Sequence, residues 1–116
     1  MMKNLLIFTF MFIIIFAGNA LAQKNCVVVN DTTAHVDKKT MAEYLGAYKV
    51  GRETGNMTGF WQANVRLSSQ KRILDADAGE KAEIVVIENI GDESVAQVKI
   101  PGKGSVWIET RDLKCK

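Results

Sequence analysis

The sequence predicts a mainly β protein, a small antiparallel barrel or sandwich with one helix near its N-terminal end. Three observations lead there. From Phe60 onward, short runs of β-branched and apolar residues recur at near-regular spacing, with Gly-, Asn- and Asp-containing turns between them. One stretch only, Asp37 to Gly51, has the helical period. Two cysteines, Cys26 and Cys115, stand near the two ends of the part that folds.

The chain of 116 residues opens on a leader. Lys3 precedes an apolar run from Leu5 to Ala17, and Ala20-Leu21-Ala22 has the small-x-small pattern that signal peptidase accepts. The run is shorter than the ~20 residues that span a bilayer. Residues 1–22 are therefore expected to be a cleaved signal peptide, leaving one domain, 23–116, in the periplasm or outside the cell with no membrane span of its own. A domain of about 94 residues buries a modest share of its surface, so a covalent staple helps. Export to an oxidising compartment permits one, and two cysteines allow a single intramolecular pairing, Cys26 to Cys115. That bond requires the first and last strands to lie together.

Cys26 to Asn30 is of strand type, and Asn30 to Thr33 reads as a turn. In the helix, Met41, Tyr44, Leu45 and Tyr48 fall on one face, to be packed on the sheet. Asp37 or Thr40 would cap its start and Gly51 its end. Gly51 to Gly59 is expected as a polar loop. Phe60 to Leu67 alternates and is expected as a strand, with Trp61 inward and Phe60 outward beside Arg66. Ile73 to Asp77, Glu83 to Glu88, Val95 to Ile100 and Ser105 to Glu109 follow as strands. The continuous run Ile84 to Ile87 suggests cover on both faces. The lone proline, Pro101, falls in the hairpin turn Pro101-Gly102-Lys103-Gly104, where it removes no ladder bond.

Charge is nearly balanced, with 15 Lys and Arg against 13 Asp and Glu, and no basic run marks a nucleic-acid partner. His35 is the only histidine and has no close Cys/His partner spacing, so neither a metal site nor any other cofactor is expected. Asp75 and Asp77 beside a turn are ordinary solvated carboxylates, and no nucleophile-and-base set accompanies them. An enzyme is not expected.

The ordered motifs of the last fifty residues resemble the bacterial Src-homology-3-like (SH3-like) domain family, over about residues 62–115. Asn64-Val65-Arg66-Leu67-Ser68-Ser69 is similar to its opening, Leu74 to Lys81 to its Gly-acid-Lys turn, Glu83 to Ile87 to its apolar strand, and Val95 to Lys103 to its hairpin. Trp107-Ile108 with Leu113 is similar to its closing motif, with Val106 where the family has Gly. The resemblance implies an SH3-like barrel, with Cys26 to Gly59 as a strand-and-helix extension. It also implies a binding module for a cell-envelope peptide, glycan or protein. Phe60, Trp61, Arg66, Tyr44 and Tyr48 are the candidate ligand-binding residues, being aromatic area with one planar cation. The other expectation is a periplasmic inhibitor or immunity-type protein that neutralises an enzyme, with the Gly51 to Gly59 loop as a plug.

Overall fold

The computed structural model describes residues 24–115; the expected signal peptide lies outside them. The elements are β1 (Lys24–Val28), β2 (Thr32–His35), α1 (Lys38–Thr54), α2 (Thr58–Ser69), β3 (Ile73–Ala76), β4 (Lys81–Ile90), β5 (Glu93–Ile100), β6 (Gly104–Glu109), a 3-10 turn (Thr110–Asp112) and β7 (Leu113–Cys115). The strands form one antiparallel sheet in the order β3-β2-β6-β5-β4-β1-β7. The four strands expected after Ile73 are present. β2, which begins within the expected turn Asn30 to Thr33 and runs beyond it, is an addition.

The sheet is curled but open, with β3 and β7 at its ends. Both ends still reach one core. Ala76 and Leu74 of β3 and Leu113 and Cys115 of β7 pack with Val28, Ile84, Val98, Ile100, Val106 and Ile108. Alanines at 34, 76, 82 and 96 keep the inner face shallow, which lets the sheet bend sharply. Lys103, in the β5–β6 turn, reinforces the bend: its ammonium donates to the Asp75 carbonyl and the Glu80 carboxylate, each at 2.6 Å.

The first and last strands meet as the cysteine positions require. β1 lies between β4 and β7, and Cys26 stands directly opposite Cys115, to which it is bonded. Beside this bond, the buried Asp112 carboxylate accepts from Asn30 Nδ2 at 3.2 Å and Thr32 Oγ1 at 3.0 Å, and its carbonyl accepts from Val29 N–H at 2.8 Å. β1 is thus an inner strand of the sheet, not an appended one.

The expected strand from Phe60 to Leu67 is wrong: this stretch is the helix α2, so the described residues hold two helices where one was expected. Phe60, Ala63 and Leu67 are its buried residues, at helical spacing. The same eight residues satisfy both a period of two and a period of 3.6, and the turn before them decides. α1 runs past Gly51 to Thr54 and stops at Gly55, whose φ of 75° is the left-handed conformation that glycine adopts freely. The Asn56 side chain then accepts from Thr58 N–H at 3.0 Å, and α2 folds back on α1. The expected loop from Gly51 to Gly59 is reduced to a short link. Gly51 is no stop signal; it is buried where a β-carbon would lie 2.5 Å from the Met57 sulfur. Asp37 does cap α1, accepting from Thr40 N–H at 2.7 Å.

Met41 and Leu45 of α1 pack on Val86, Ile90, Val95 and Trp107, as expected of the apolar stripe. The apolar run of β4 is covered only in part, because a bulge between Ile84 and Val86 breaks its alternation and leaves Ile87 55% exposed.

The disulfide closes a separation of 89 residues. Reducing it is expected to lower stability by about 4–5 kcal/mol at most in the chain-entropy account. Far-UV circular dichroism should stay that of the native sheet at moderate temperature. Denaturant titration with and without reductant measures the loss, and free thiols titrating in protein isolated from an oxidising compartment would contradict the bond.

Candidate functional site

Four of the five sequence-predicted residues come together. Phe60 is the hub. Its ring makes edge-to-face contacts with Tyr44 at 5.0 Å, Tyr48 at 5.3 Å and Trp61 at 5.0 Å between centroids. Tyr44 in turn meets the His35 ring of β2 at 4.8 Å, and its hydroxyl lies 3.5 Å from Thr33 Oγ1. The aromatic row therefore begins on the sheet and ends at the surface. Each such contact adds about 0.5–1.5 kcal/mol beyond the area it buries.

The helix reverses the expected orientations. Phe60 is 5% exposed and Trp61 58% exposed, where a strand would have put Trp61 inside. Tyr48 is 38% exposed, and Val50 and Val65 on the same two helices are 58% and 70% exposed. Arg66 is engaged within the domain. Its guanidinium is hydrogen-bonded to the Glu43 carboxylate of α1 and so clamps the two helices. Arg72 joins this clamp, with Nη1 4.0 Å from Glu43 and Nε donating to Thr40 Oγ1 at 2.9 Å.

The cation beside the aromatic row is Arg52, which is not among the sequence-predicted residues. Its guanidinium carbon lies 5.8 Å from the Tyr48 ring centre. The signal was the i, i+4 spacing of Tyr48 and Arg52 on one helix. Both line a cleft of about 540 Å³ between α1 and the β4–β5 turn, with Ile90, Glu93, Glu109 and Arg111 opposite. Glu109 and Glu93 face the same side, since Glu109 pairs with Val95, two residues along from Glu93. Burial, then the Glu93 carboxyl, raises the Glu109 carboxyl above the ordinary range, against the pull of Arg111. Arg111 Nη2 lies 3.2 Å from both Glu109 oxygens, and only Oε2 receives a well-formed hydrogen bond. The carboxyl pair was legible to no sequence pattern, because strand register brings it together.

His35 is a core residue, 2% exposed, with Nδ1 lacking a hydrogen-bond partner. Burial lowers its pKa to about 4, and nearby Asp37 only partly offsets this, so the ring is neutral at pH 7. No group of three or more His, Cys, Asp and Glu residues is placed to hold a metal ion among the described residues. In those residues no helix is long and apolar enough to cross a membrane.

Comparison with protein-family models, curated proteins and solved structures found no match.

Phe60→Ala should cost about 3–5 kcal/mol of stability as a large core truncation. Trp61→Ala should cost less, about 0.5–1.5 kcal/mol, the worth of its edge-to-face contact with Phe60. Urea denaturation of both variants gives the values, and the reverse ranking would restore the strand reading. For His35, the unfolded chain holds a proton between pH 6.5 and about 4 that the folded chain refuses. Its contribution is therefore complete above pH 6.5 and lost as pH falls toward 4, on the order of 3 kcal/mol in all. Glu109, with a raised pKa, works in the opposite sense. The urea midpoint from pH 7.5 to 4.5 should consequently fall less steeply in His35→Phe than in the parent chain.

Proposed function

We propose that this protein is an exported binding module of the cell envelope, not an enzyme. It engages a peptide, glycan or protein through the outer end of the aromatic row, with Trp61 and Tyr48 as anchors. The single observation that carries this reading is Trp61, 58% exposed on a helix yet braced edge-on by buried Phe60. A rigid, exposed Trp offers large contact area at low entropic cost, and interface energy concentrates in Trp, Tyr and Arg. Tyr48 with Arg52, beside the cleft, extends the same surface. Tyr44 and Phe60 support the platform from beneath, and Arg66 holds its two helices together.

Export to the periplasm or beyond rests on the leader pattern of residues 1–22 and fits the Cys26–Cys115 bond. An SH3-like barrel is the fold this proposal assigns to the curled sheet. Its support is the run of motifs from Leu74 to Leu113, which here form strands β3 to β7 and their turns. The opening motif, Asn64 to Ser69, lies in α2.

The inhibitor reading keeps one specific support. Val50, Val65 and Trp61 expose apolar area on the helical pair, which suits a protein partner better than a glycan. Its contact surface would be the helices, since the plug loop is absent.

The test exposes oxidised protein in parallel to purified sacculi and to envelope extract. Retention on sacculi that falls at least tenfold in Trp61→Ala is expected of the wall-binding module. Capture of one protein partner, lost in the same variant, moves the assignment to the inhibitor class. Binding that Trp61→Ala and Tyr48→Ala leave unchanged would overturn the site.

A further inference from the structure

The outer face of the sheet is covered on one half only. α1 lies over Val86, Ile90, Val95 and Trp107. Along β5 the same face continues from Val95 through Gln97 to Lys99, since alternate side chains share a face. Lys99 pairs with Glu83, and Glu83 with Asn25. In the next row Lys81, Val27 and Lys114 stand side by side on β4, β1 and β7. Three lysines from distant parts of the chain thus surround exposed Val27, which is 38% exposed, and Val29, which is 41% exposed.

A cleft of about 1030 Å³ lies here, lined by these lysines, both valines and Pro101, with Glu83 as its one carboxylate. The ion pairs among the described residues use Lys38, Arg66, Arg72, Lys103 and Arg111, and leave Lys81, Lys99 and Lys114 unpaired. Lysine on an edge strand guards against strand addition, which accounts for Lys114 on β7. It does not account for Lys81 and Lys99, which stand on the inner strands β4 and β5.

We propose that this cleft binds an amphiphile with an anionic head group. The acyl chain lies along Val27, Val29 and Pro101 and the aliphatic stems of the lysines. The head group is held between the ammonium groups of Lys81 and Lys114, with Lys99 alongside. An apolar floor with a few convergent charges is the usual make-up of a small-molecule site, and three cations against one carboxylate select a negative head. The cleft is built from β1, β4, β5 and β7 and shares none of the helical residues proposed above as a binding surface.

Calorimetric titration of the oxidised protein with three twelve-carbon probes, each below its micelle threshold, makes the test. Laurate should bind. Dodecyl maltoside should bind more weakly and dodecyltrimethylammonium weakest. Lys81→Gln combined with Lys114→Gln should weaken laurate roughly tenfold or more and leave the maltoside unchanged. Val27→Asp should weaken both. Equal affinity for the three head groups, or a double variant that binds laurate as the parent does, would overturn the proposal. So would sedimentation with phosphatidylglycerol vesicles without any laurate binding, which would identify a membrane surface as the occupant.

Discussion

The edge-on packing of Phe60 between Tyr44, Tyr48 and Trp61 decides more of this molecule than any other contact. It gives α2 a reason to be a helix, because only the helical period places Phe60, Ala63 and Leu67 on one buried face. It holds the helical pair to the sheet through Tyr44 and His35. It also turns Trp61 outward and braces it there. The buried hub and the exposed anchor are consecutive residues on one helix, so the stability of the fold and the shape of the proposed binding surface are coupled at that point.

A second constraint acts at the other end of the domain. The Cys26–Cys115 bond and the Asp112 carboxylate hold a three-residue last strand against β1. With β1 fixed between β4 and β7, the outer face extends beyond the reach of α1, and its bare half collects Lys81, Lys99 and Lys114. A strand count alone would not produce that surface; the position of β1 does.

The legible and illegible parts of the sequence differ for physical reasons. Strands β4, β5 and β6 announce themselves by long apolar or alternating runs between Gly turns, and the cysteine pair follows from having only two. α1 is legible from Met41, Tyr44 and Leu45, and of its two candidate caps, Asp37 and Thr40, Asp37 takes the role. Phe60 to Leu67 is not legible as a helix, because Trp61, Ala63, Val65 and Leu67 alternate as well as Phe60, Ala63 and Leu67 repeat. The missing information was tertiary: Gly51 makes room for Met57, and Gly55 turns the chain. Among the candidate residues, the aromatic four were selected by type and do assemble. Arg66 was selected by proximity along a supposed strand, and its carboxylate partner Glu43 lies 23 residues away. The Glu93–Glu109 pair and the lysine row exist only through strand register, which no local pattern encodes.

Nuclear Overhauser spectroscopy of the Phe60 ring distinguishes helix from strand in this segment. Phe60 ring protons should show contacts to the rings of Tyr44 and Tyr48, together with helical Cα shifts from Thr58 to Ser69. Trp61 ring contacts to core residues of the sheet, with extended-strand shifts through the same segment, would contradict the helix.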